Sequence, residues 1–104
     1  MIKVVFFIKG ENISGFSITG HAEYRESNDI VCASVSSAAY MAANTLTDVI
    51  GVEAEAKEHD GKMSVRTDSV SPEVQTVLKG FKMHIKELAK EYPENIKVIY
   101  GGVK

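Results

Sequence analysis

The sequence predicts an α+β fold in one domain over residues 1–104, with the element order β-β-α-β-β-α-β and a mixed sheet carrying two packed helices. Three observations predict it. Short apolar alternations come in two pairs, joined by the turn residues Lys9-Gly10-Glu11-Asn12 and Asp60-Gly61. Two longer segments carry apolar residues at helical spacing, one between the pairs and one after them. A final apolar run, residues 96–100, follows the second helical segment. Strand order does not follow from these patterns.

Each element has its own local reason. Ile2, Val4, Phe6 and Ile8 alternate with Lys3, Val5 and Phe7, which reads as a strand buried largely on both faces. Residues 13–19 then form the returning strand, with Phe16 and Ile18 on one side. Residues 20–28 are polar and have neither period, so they form a loop. Ser27, Asn28 and Asp29 can each cap a helix, and Val31, Val35, Ala38, Ala42, Leu46 and Val49 recur after them at helical spacing, with Gly51 as the stop. Ala33, Ala39, Tyr40, Met41 and Ala43 make the opposite face of this helix apolar too, which predicts cover on more than one side, part of it from a second chain.

The second hairpin alternates Val52, Ala54 and Ala56 with Glu53, Glu55 and Lys57, turns at Asp60-Gly61, and returns through Met63, Val65 and Thr67. Ser71-Pro72-Glu73 combines a cap, a proline at the first helical position and an acid in the first turn. Val74, Val77, Leu78, Phe81, Ile85, Leu88 and Tyr92 form the stripe of that helix, and Pro93 ends it.

Composition excludes several function classes. A chain of 104 residues with 44% hydrophobic and 25% charged residues is an ordinary globular domain with room for its own core. A formal net charge of −2, with no lysine or arginine stripe, argues against direct nucleic-acid binding. Glu53, Glu55, Glu58 and Asp60 lie close together, either as a solvated hairpin face or as a patch for a basic peptide. One cysteine forms no internal disulfide, and the apolar start lacks the features of a signal peptide, so a cytoplasmic location is expected. The uncharged run 30–47 approaches membrane-span length but holds six Ser, Thr and Asn residues, so no membrane span is expected.

Chemistry concentrates at Cys32. A thiol with a reference pKa near ~8.5 is only a few per cent thiolate at neutral pH, so a nucleophilic cysteine needs help. A first-turn position offers it through unpaired N–H groups and the helix dipole, but these contribute only about 0.3 to 1 kcal/mol at an exposed site. A neighbouring imidazolium has to supply the rest, and His21 stands at the end of the preceding strand. Two readings of Cys32 stand side by side on spacing alone: a nucleophile at a cleft, or a small buried residue beside Val31 and Val35. A metal site is not expected, because His59 and His84 lie on separate elements, and no cofactor is implied.

Gly20-His21-Ala22, followed by Asp29-Ile30-Val31-Cys32-Ala33-Ser34-Val35-Ser36, resembles the signature of the ribosomal-processing cysteine proteases, the Prp family, which runs GHA, a short loop, then DIVCAAVS. The resemblance extends to the length and element order. It implies a homodimeric cysteine endopeptidase that removes the N-terminal extension of large-subunit ribosomal protein twenty-seven. It also implies a catalytic pair of His21 and Cys32, with Gly20, Asp29 and Ser36 as supporting or substrate-contacting residues. Cys32 would attack the scissile carbonyl, while His21 would hold the thiolate and protonate the leaving amine. Asp29 either caps the helix or acts as a third catalytic member, and Ser36 either contacts substrate or bonds back to its own helix. Family substrates cut beside aromatic residues imply an apolar pocket at the cleft, and residues 23–27 are expected to close over the peptide. Two departures stand out: the family commonly has glycine near Ser27 and alanine at Ser34. The rival from another class is a non-catalytic ribosome-assembly module that binds a ribosomal protein segment through a sheet edge and the acidic hairpin.

Overall fold

In the computed structural model, which describes residues 1–20 and 29–102 (for 29 and 102 the backbone only), the expected element order is present. It consists of β1 (Ile2–Lys9), β2 (Asn12–Thr19), α1 (Asp29–Asn44), β3 (Glu55–His59), β4 (Lys62–Arg66), α2 (Pro72–Glu91) and β5 (Ile96–Gly102). The five strands form one sheet in the order β3-β4-β2-β1-β5. Among the described residues, only β1 and β5 pair in parallel and the other neighbours are antiparallel, so the sheet is mixed.

Register sorts the side chains into two faces. Val4 lies opposite Ile18, and Phe6 opposite Phe16, which in turn faces Val65. All of these are buried and join Val35, Leu46, Leu78 and Ile85 from the helical segments in one core cluster. Both helices therefore cover the same face. An aromatic group seals its centre, with Phe81 of α2 4.4 Å from Phe16 and 5.7 Å from Phe6 between ring centroids. On the other face Lys3 is exposed and Val5 half-buried, and Phe7 is buried with the guanidinium of Arg66 4.3 Å above its ring. The expectation that β1 is buried largely on both faces is thus corrected: among the described residues, no helix covers the second face.

A bulge shapes β2. Phe7 pairs with Gly15 and Ile8 with Ile13, leaving Ser14 as the extra residue. Gly15 has φ +154°, and a β-carbon there would sit 2.0 Å from the Val65 carbonyl oxygen, so the approach of β4 requires glycine. Across the bulge, Gln75 of α2 accepts from the Ile13 N–H and donates to the Ile13 carbonyl, both at 2.9 Å.

Two boundaries differ from the sequence expectation. Thr45 and Thr47 bond back to the carbonyls of Met41 and Ala43, and residues Thr45–Ile50 continue α1 as a π-helical turn closed by Gly51 at φ +85°. The wider i→i+5 winding shifts the helical phase, so Val49 is 77% exposed instead of lying on the core stripe. The first strand of the second hairpin begins at Glu55, not Val52, because the Val52 N–H already caps the Leu46 carbonyl and the Glu53 carbonyl accepts the Thr67 hydroxyl. The start of α2 matches its sequence signal, with Ser71 Oγ accepting from the Val74 N–H.

Candidate active site

The chain leaves β2 at Gly20 and enters α1 at Asp29. Gly20 has φ +87°, and a β-carbon would lie 2.4 Å from the Met1 carbonyl oxygen. Both facts demand glycine before the histidine, since any side chain meets backbone and not a movable side-chain tip. His21, the expected base, and the proposed closing segment 23–27 lie outside the described residues.

Cys32 sits in the first turn of α1, where N-terminal N–H groups lack intrahelical partners and an anion is favoured. It is half-buried and packs against the core cluster. The packing expected of a small residue beside Val31 and Val35 is present in part, at a helix start. Ser36 lies one turn further on, also half-buried. Asp29 is the first residue of α1, and its side chain lies outside the described residues.

Tyr40 extends this stripe by another turn, at i+8 from Cys32, and its hydroxyl donates to Glu58 of β3. The bond, and the adjacent negative charge, raise the Tyr40 pKa above the usual phenol range, with slight burial adding to it. It also fixes direction: the flank of α1 that carries Cys32, Ser36 and Tyr40 faces the β3 side of the sheet. Sequence reasoning placed Tyr40 on an apolar face and missed this role, because a tyrosine between alanine and methionine carries no signal of a partner 18 residues away.

A groove lies on the opposite flank, between α1 and α2. It measures about 870 Å³ and is lined by Ser34, Ala38 and Met41 of α1 and Val77, Phe81 and His84 of α2. This apolar cleft is lined by Ala33 and Ser34, which follow Cys32 in the chain, while Cys32 itself is not among its lining residues. Of the apolar face expected to be covered, Ala39 and Ala43 are buried within the chain, whereas Met41 is 71% exposed. His84 lines the groove and His59 lies by Asp60 in the hairpin turn, and among the described residues no cluster could hold a metal ion. Nor, among them, is any helix long and apolar enough to cross a membrane.

Comparison with known proteins gives this geometry a context. The chain is similar in structure to the essential ribosomal processing protease Prp from S. aureus in complex with a substrate peptide, at 25% identity and a TM-score of 0.88, covering 96% of this chain and 99% of that one. The same protease with a covalently linked product peptide matches at 27% identity and a TM-score of 0.86, with the same coverage. A Streptococcus mutans protein matches at 28% identity and a TM-score of 0.83, covering 96% of this chain and 93% of that one. No curated protein sequence matches the chain significantly. The family model described as cysteine protease Prp matches residues 1–97, nearly the whole chain. With a cysteine in the first turn of α1 and a strand end at Gly20 that only glycine fits, this chain belongs to the Prp family of cysteine proteases.

Proposed function

We propose that this chain is a processing endopeptidase that removes the N-terminal extension of large-subunit ribosomal protein twenty-seven, working in the cytoplasm as a homodimer. The observation that carries the reading is the partly exposed Cys32 at the N-terminus of α1, in a chain whose S. aureus relative was solved with a substrate peptide and with a covalently linked product peptide. The Cys32 thiolate adds to the scissile carbonyl, and the oxyanion is held by backbone N–H groups of the helix start. His21 protonates the leaving amine, which departs as the new N-terminus of the shortened protein. Water, deprotonated by His21, then releases the acyl group and regenerates the thiol.

The reading is tested by incubating the chain with a synthetic precursor peptide and recording mass spectra. The expected result is two fragments whose masses sum to that of the peptide plus one water, with cleavage lost in Cys32→Ala and in His21→Ala. Binding without cleavage, or cleavage undiminished in Cys32→Ala, overturns it; the first outcome favours the non-catalytic assembly module.

A further inference from the structure

The sheet edge that α1 reaches through Tyr40 has a feature that the peptidase chemistry leaves unexplained. β3 is the terminal strand, and among the described residues nothing pairs with its outer side. All five of its residues are exposed. Asp60 and Gly61 turn with φ +51° and +74°, the type I′ geometry of a two-residue hairpin. In such a hairpin the closing pair, His59 and Lys62, exchanges both backbone hydrogen bonds, and the pattern alternates from there. Lys57 and Glu55 therefore bond inward to β4, while Ala56 and Glu58 turn their N–H and C=O groups outward to solvent.

We infer that this edge is the substrate's docking strand: the peptide adds to β3 as a sixth, extended strand, held through the backbone of Ala56 and Glu58, before its scissile bond reaches Cys32. The inference rests on the proteolytic reading above and specifies where the substrate lies. Three observations support it. First, Tyr40 ties Glu58 to the flank of α1 that carries Cys32, so edge and nucleophile are held in one frame. Second, the spacing suits an extended chain. Thr19, Lys62 and His59 are in register at the end of the sheet from which the chain passes to α1, so Cys32 lies toward the turn end of β3. Cys32 and Tyr40 are eight residues apart, about 12 Å along a helix, which some four extended residues span. Third, charge selects the occupant. Over residues 53–60, Glu53, Glu55, Glu58 and Asp60 stand against Lys57 alone, and a ribosomal protein, which neutralises RNA phosphates, supplies basic segments. The same charges keep two β3 edges from joining each other, the usual protection of an exposed strand.

The mode of recognition is strand addition, in which main-chain bonds give affinity and alternate side chains give specificity. The groove between α1 and α2, on the far flank, is not needed for it.

The test uses the full chain and the precursor peptide in two arms. In inactive Cys32→Ala, amide hydrogen exchange is followed by NMR with and without saturating peptide. Protection of the Ala56 and Glu58 amides is expected to rise at least tenfold, with Lys57, already bonded to β4, changing little. In the active chain, Ala56→Pro removes one outward N–H at an edge position where the fold tolerates proline. It is expected to lower kcat/KM about tenfold through KM, with an unchanged circular dichroism spectrum. Cleavage by the parent chain with no added protection at Ala56 and Glu58 overturns the inference and leaves the peptidase standing; this arm decides even if the proline variant misfolds. Absence of Cys32-dependent cleavage removes both.

Discussion

Gly20 is held by backbone geometry on two counts. Its positive φ and the Met1 carbonyl 2.4 Å from any β-carbon leave no room for a side chain. Replacing it with alanine forces the end of β2 away from the N-terminus, and His21 moves with it. Gly20→Ala is expected to lose about 2 kcal/mol or more of stability, the cost of a left-handed non-glycine residue plus the displaced backbone. Urea unfolding measures this, and kcat/KM on the precursor peptide is expected to fall beyond what the unfolded fraction explains. Cys32→Ala is the contrasting case: it removes one sulfur from a half-buried position and leaves the fold intact, so its loss of cleavage reports chemistry alone.

Among the elements, α2 and the first hairpin are joined by a polar contact inside an otherwise apolar layer. Gln75 is buried and satisfies both backbone groups of Ile13, next to the bulge at Ser14. Gln75→Leu keeps the volume but strands a buried donor and a buried acceptor, each costing about 1 to 3 kcal/mol. Chemical denaturation is expected to show a loss within twice that range, larger than for a typical surface change on α2. The link between α1 and β3 has a different signature, because it is exposed and titratable. The Tyr40 hydroxyl donates to the Glu58 carboxylate, so ionising the phenol loses a hydrogen bond and sets two negative charges together. A folded-state pKa raised above the unfolded value means that the contribution is complete below about pH 10 and is lost as pH rises through the raised value. The stability difference between the parent chain and Tyr40→Phe is therefore expected to be constant from neutral pH up to that range and to shrink above it. A difference that grows with alkaline pH contradicts the assignment.

Across the whole molecule, legibility follows the range of the interaction. The caps, turns and stripes of α2 and both hairpins are local, and Ser71, Pro72 and Asp60-Gly61 announced them before any partner was known. The signature around Gly20 and Cys32 was equally legible, because helix-start chemistry needs fixed residue types at fixed spacing. What failed was phase and neighbourhood. Val49 follows the helical period in sequence, yet the threonine-driven π turn rotates it into solvent. Phe7 alternates like a two-face-buried residue, yet it is covered by Arg66 from β4 and not by a helix. Tyr40 reads as part of an apolar face until β3 arrives beside it.

The sequence by itself determined the elements, their order, the family signature and the chemistry offered at Cys32, since propensity, capping and turn geometry are set within a few residues. Only the tertiary structure decided that β3 ends the sheet, that α1 turns its Cys32 flank toward that edge, and that the large apolar groove lies on the other side. Those outcomes depend on which strands meet and how far a helix rotates as it buries Val35, Ala39 and Leu46. That choice is made by the packing of the whole core and by no single stretch of chain.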